Sequence, residues 1–126
     1  MNNYVIWLDS KLAEIFALKT SGIAKTQLKK SDIDHHRRHK KDIHVDSNSE
    51  HYFRDLAEKM KDADQILILG PGMAKSHFTH YLETHQAKTL SKKVIGVENL
   101  EQVSEKQILA TARKFFKHYD MFNSPN

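Results

Sequence analysis

The densest collection of chemically capable side chains lies in one stretch, Ser31 to Asp46: Ser-Asp-Ile-Asp-His-His-Arg-Arg-His-Lys-Lys-Asp-Ile-His-Val-Asp. Guanidinium forks and ammonium groups bind phosphate oxygens, and imidazoles stack on unpaired bases, ligate metals or relay protons. Asp32, Asp34, His35, His36, His39 and His44 are ligand types that a divalent cation accepts. Arg37, Arg38, Lys40 and Lys41 stand among them and would repel one. Structural zinc sites also pair their ligands at tighter spacing, with a second half elsewhere in the chain. Anion binding fits better. Residues 25–41 hold seven Lys and Arg against two Asp, a local excess of five in a chain whose net charge is +4. The candidate phosphate contacts are therefore Lys25, Lys29, Lys30, Arg37, Arg38, Lys40 and Lys41, with His35, His36 and His39 placed to stack on unpaired bases. A solvated loop that keeps the protein in solution is the plain alternative.

A second anion candidate is Gly70-Pro71-Gly72-Met73-Ala74-Lys75-Ser76. It follows a short apolar run and opens a helical pattern, the placement in which backbone N–H groups receive a phosphate. It lacks the glycine before Lys-Ser that a nucleotide-binding P-loop has, and the third glycine of a dinucleotide fingerprint. What remains is a tight turn, with Gly72 and Lys75 able to hold one backbone phosphate of a nucleic acid. Two-metal phosphodiester cleavage would need converging carboxylates. Here Asp9 alone ends the first apolar run, in the chemistry of a turn, and Ile66–Leu69 ends in glycine. His77, His80 and His85 follow no metalloprotease spacing, and no serine sits in a nucleophile elbow. These residues call for no catalytic group, metal or cofactor.

Composition narrows the class. The chain has 126 residues and no cysteine, with 20 Lys+Arg, 16 Asp+Glu and 39% hydrophobic residues. That length predicts one domain with a core of its own. Disulfide frameworks, thiolate zinc sites and cysteine nucleophiles are excluded. No apolar run nears the ~18 residues of a membrane span. Met1-Asn2-Asn3-Tyr4 lacks a signal-peptide pattern, so a cytoplasmic protein without a membrane partner is expected.

The elements that must position these residues change character along the chain. Tyr4–Leu8 is apolar on both alternations, as in a strand covered on both faces. Asp9-Ser10-Lys11 has turn chemistry, and Leu12–Leu18 is again nearly continuous. After Ser21-Gly22, the run Ile23–Lys29 alternates with a lysine-rich polar face, the mark of an edge strand. Residues 31–47 then read as a long basic, histidine-rich loop, of a length that usually carries function. Ser47 and Glu50 form a capping box ahead of a helical stripe of Phe53, Leu56, Ala57, Met60 and Ala63. Gln65–Leu69 reads as a buried strand. A helix from Met73 to Gln86 presents Ala74, Phe78, Tyr81 and Leu82, and Val94–Val97 is the last strand. Ser104 and Gln107 form a second capping box, opening a helix with Ile108, Ala112, Phe115, Phe116 and Tyr119 inward. Residues 4–119 are expected to form the domain and 120–126 a frayed tail. This β-β-β-loop-α-β-α-β-α order predicts an α/β fold: one mixed five-stranded sheet in order 3-2-1-4-5 with helices on both faces, the arrangement of ribonuclease-H-like folds.

The stretch Ile66-Leu67-Ile68-Leu69-Gly70-Pro71-Gly72-Met73-Ala74-Lys75-Ser76-His77-Phe78, with Leu82 beyond, resembles the middle domain of archaeal and eukaryotic class 1 release factors and their relative Pelota. Lys93–Val97 matches that family's next strand, Tyr4–Leu18 looks like its first hairpin, and the element order agrees from about Tyr4 to Lys117. The chain looks like one of the small stand-alone bacterial relatives labelled translational machinery proteins. The resemblance implies a ribosome as partner, with ribosomal RNA or tRNA as the surface met. In release factors, the loop before the first helix carries Gly-Gly-Gln and places water on the peptidyl ester. Ser31–Asn48 contains neither glycine nor glutamine, so no catalytic residue carries over and peptidyl-tRNA hydrolysis is not expected. The leading expectation is a ribosome- or RNA-associated binding module. A hydrolase of RNA or an RNA-linked ester using loop histidines, and a protein-interaction module docking on an acidic partner, are the alternatives.

Overall fold

In the central strand, alternate side chains enter two different cores. The computed structural model describes residues 1–31, 45–86, 88–101 and 104–123. Strand β1 (Asn3–Leu8) pairs antiparallel with β2 (Leu12–Lys19) and parallel with β4 (Gln65–Gly70). Strand β3 (Gly22–Lys29) pairs with β2, and β5 (Val94–Asn99) with β4, giving one mixed sheet in the order β3-β2-β1-β4-β5. The order follows from the sequence pattern. Runs apolar on both alternations take the centre, and the polar, lysine-bearing Gly22–Lys29 takes an edge.

Helices α1 (Val45–Lys59) and α2 (Ala74–His85) cover the face that receives Tyr4, Ile6, Leu8, Ile66 and Ile68. Helix α3 (Glu105–Asn123) covers the opposite face, where Val5, Trp7, Phe16, Leu67 and Leu69 meet Ile108, Leu109, Ala112 and Phe116. No polar or charged side chain is fully buried among the described residues, so both cores are held by apolar burial. A 3-10 turn at Leu90–Lys93, absent from the sequence reading, leads into β5 and buries Leu90.

Three local expectations change. Helix α1 opens at Val45, so Ser47 lies inside it and is not its N-cap. Lys30 and Ser31 are also helical, so Ser31 and residues 45–47 of the expected 31–47 loop belong to helices, and residues 32–44 lie outside the described residues. Helix α3 continues through Asp120 to Asn123, where fraying was expected. Its start agrees with the sequence: Ser104 Oγ accepts from the Gln107 amide (3.3 Å), and Gln107 Oε1 accepts from the Ser104 amide (3.1 Å). That is a reciprocal capping box.

Candidate nucleic-acid interface at the carboxyl end of the sheet

Strands β1, β4 and β5 all finish at the same end of the sheet, with Trp7 paired to Leu69 and Gly70 to Asn99. From β1 the chain runs outward through β2 and β3, then returns to place β4 on the other side of β1. Such reversals in parallel sheets are where ligands gather, beyond the carboxyl ends of the strands. Here the backbone itself closes the crevice. A Cβ built on Gly70 would lie 2.1 Å from the Leu8 carbonyl oxygen, and Gly70 has a φ of +158°. Binding surface therefore has to come from the rim.

One side of that rim is basic. The β1–β2 turn is tied by Asp9, whose Oδ1 accepts from the Lys11 and Leu12 amides, each at 2.8 Å. Asp9 is thus a turn residue, as its position suggested, and its carboxylate faces the turn amides. Register then sets Leu12 opposite Lys29, and the Lys30 amide donates to the Lys11 carbonyl at 2.8 Å. These pairings frame a depression of about 530 Å³ lined by Ser10, Lys11, Leu12, Lys29, Lys30 and Ser31. Lys11, Lys29 and Lys30 line it, and no acidic residue does among the described residues. Lysines brought to one rim favour an anion there. Lys30 Nζ also donates to Ser49 Oγ at 3.2 Å, fixing the depression to the first turns of α1.

The candidates from sequence divide accordingly. Lys29 and Lys30 share the depression. Lys11 joins them and was missed. Nothing local marks it, and only the hairpin register brings it beside Lys30. Lys25 lies apart, on the α3 face of the sheet. Its ammonium donates to Glu105 Oε1 at 2.8 Å, lies 3.6 Å from Glu14 and sits 5.8 Å from the Phe16 ring centroid. The hydrogen bond to Glu105 raises its pKa, Glu14 adds to the shift and partial desolvation opposes it. Lys25 thus spends its charge on two carboxylates of its own chain at the surface. His35, His36, Arg37, Arg38, His39, Lys40 and Lys41 lie outside the described residues, on the chain between Ser31 and Val45.

Gly72 and Lys75 occupy the other side of the rim. Gly72 has a φ of +62° with open space around its Cα, as the turn into α2 requires. Lys75 Nζ turns back to donate to the Gly72 carbonyl (2.5 Å) and to Asn99 Oδ1 (3.3 Å). Two of its three donor directions thus pin the β4–α2 turn to the end of β5. The Leu100 amide donates to the Gly70 carbonyl, and Trp7 Nε1 to the Leu100 carbonyl, each at 3.0 Å. That turn is first a clamp. No cluster of histidine and carboxylate groups able to hold a metal occurs among the described residues. No helix among them is long and apolar enough to cross a membrane.

No family model matches the chain, and no curated protein matches it significantly in sequence. Solved structures do match it in three dimensions. Pelota from Archaeoglobus fulgidus aligns with a TM-score of 0.62 at 15% identity, covering 90% of this chain and 31% of Pelota. Pelota from Thermoplasma acidophilum aligns at 0.61 and 20% identity, covering 90% and 32%. An archaeal translation termination factor aligns at 0.54 and 15% identity, covering 95% and 40%. The chain spans about a third of the length of the Pelota proteins it matches. At these identities the likeness is one of fold, and the fold is that of a Pelota- and release-factor-like middle domain.

Proposed function

We propose that this chain is an RNA-binding module of the translation machinery, meeting ribosomal RNA or tRNA with the basic rim at the carboxyl end of its sheet. The observation that carries this reading is the depression lined by Lys11, Lys29 and Lys30, with no acidic residue in its lining among the described residues. The segment that leaves it at Ser31 bears Arg37, Arg38, Lys40 and Lys41, with His35, His36 and His39 between them. In this reading the lysines and arginines neutralise phosphates and the histidines stack on exposed bases. Lys75 and Gly72 stand at the far margin, where the third ammonium donor can reach a phosphate oxygen. Likeness of fold to a Pelota and to a termination factor supports a ribosomal setting for that surface.

Sedimentation of the tagged protein with ribosomes tests the reading. Co-pelleting is expected at ~50 mM salt and its loss at ~200 mM, since a few released counterions lower affinity by orders of magnitude over that range. Protein that stays in the supernatant at the lower salt would refute the proposal.

A further inference from the structure

Linked to the basic depression by the hydrogen bond from Lys30 to Ser49 runs a groove of different chemistry. It lies between α1 and α2, has a volume of about 410 Å³, and is lined among others by Ser49, Glu50, Phe53, His77, Tyr81 and His85. That size falls within the roughly 300–1,000 Å³ of small-ligand pockets. His77, Tyr81 and His85 recur every four residues, so their rings form one line along α2. Tyr81 and His85 have ring centroids 4.5 Å apart at 34°, and Tyr81 lies 5.8 Å from Phe53. Phe53 in turn is 5.4 Å from the fully buried Phe78. In this ladder Tyr81 is thus anchored to the core through Phe53, while His77 and His85, one turn to either side of it, are exposed.

The two hollows sort the parts of a nucleotide. The depression is lined by three lysines and, among the described residues, by no acid. The groove adds Glu50, whose carboxylate repels a phosphate and accepts from the N–H groups of a base edge. Ser49 lines the groove and accepts from Lys30 of the depression, so the two sites adjoin.

We infer that this groove takes an unpaired base from the same RNA strand whose phosphates lie on Lys11, Lys29 and Lys30, which makes the ligand single-stranded RNA. The inference rests on the RNA-binding reading above. Duplex RNA is excluded from the groove because its bases are already paired and stacked, whereas any unpaired base has a face to lay on the ladder.

The probe is a single-stranded RNA of ~10 nucleotides carrying a fluorescent adenine analogue whose emission falls on stacking, titrated beside an otherwise identical strand with base-free positions. Wild-type protein should quench the analogue and bind the base-free strand more weakly. His77→Ala with His85→Ala should lose the quench and roughly 5- to 150-fold in affinity, with an unchanged salt slope and no further loss on the base-free strand. Both residues are exposed, so the fold should persist, and His85→Phe should restore the quench by returning a ring. Full-affinity binding without quenching, or equal affinity in the alanine variant, would overturn the groove while leaving the phosphate surface intact. Absence of RNA binding by the wild type would overturn both.

Discussion

Tyr4 and Asp62 form a pair whose titration reads out on stability. The Tyr4 hydroxyl donates to Asp62 Oδ1 at 2.5 Å, and Lys19 Nζ lies 3.7 Å from the same carboxylate. Burial, reinforced by that bond, raises Tyr4 from 10.0 to about 12. The hydrogen bond from Tyr4 holds Asp62 below the ordinary carboxylate value, with Lys19 assisting. The signs follow from linkage. The folded state keeps the Tyr4 proton more tightly than the unfolded chain, so its contribution is complete below pH 10.0 and is lost as pH rises to about 12. The contribution of Asp62 is complete above the ordinary carboxylate range and is lost as pH falls through its lowered value. Thermal melts of Tyr4→Phe across pH should therefore show a smaller stability loss than wild type on both limbs. Tyr52 keeps part of the alkaline one, because burial raises its pKa too. Identical profiles would remove the pair from the account. At this scale the sequence is least legible. Lys25 is neutralised by Glu105, 80 positions away, and Lys11 enters the basic depression only through strand register. Tyr52 is 1% exposed, with its hydroxyl on the Asp9 carbonyl at 3.2 Å, yet no stripe marks it apart from Phe53.

Two glycines set how closely the elements approach. A Cβ on Gly96 would lie 2.4 Å from Phe115 Cζ, on the seam where α3 packs over β5. One on Gly70 would strike the Leu8 carbonyl oxygen, part of the central strand's backbone. A phenyl ring can tilt, whereas a strand backbone cannot move without breaking its ladder. Gly96→Ala should therefore cost about 1–3 kcal/mol, the usual range for overpacking, and Gly70→Ala should cost more in the same denaturant titration. The reverse order would show that the strand ends are softer than the helix seam. Element boundaries were legible where their signals are local. Ser104 and Gln107 announced α3 because a capping box is a contact across three residues. Ser47 and Glu50 have the same spacing, yet α1 starts earlier, at Val45. Spacing alone does not say which of several polar residues becomes the cap. Lys75 illustrates the same limit: its place near a helix start suggested a phosphate, and nothing in that spacing told that its ammonium also caps the Gly72 carbonyl and meets Asn99.

For the molecule as a whole, the sheet order was written in the alternation of apolar residues. Tyr4–Leu8 had to be covered on two faces, Ile23–Lys29 had to lie at an edge, and the two strand–helix units could be added only on the far side of β1. The charge distribution was equally legible, because a basic excess confined to residues 25–41 is visible before any fold is known. What could not be read is which cations converge, since that depends on pairings made after folding. The central claim is that Lys11, Lys29 and Lys30 act together on RNA phosphates. Fluorescence anisotropy of a labelled single-stranded RNA, measured across salt for wild type and for the Lys11→Gln/Lys29→Gln/Lys30→Gln variant, tests it most directly. Each phosphate contact on a single strand contributes a log–log salt slope of roughly 0.7. The variant should bind more weakly, with a slope shallower by about 2 at unchanged thermal stability. A wild-type affinity indifferent to salt, or a variant with the wild-type slope, would contradict it.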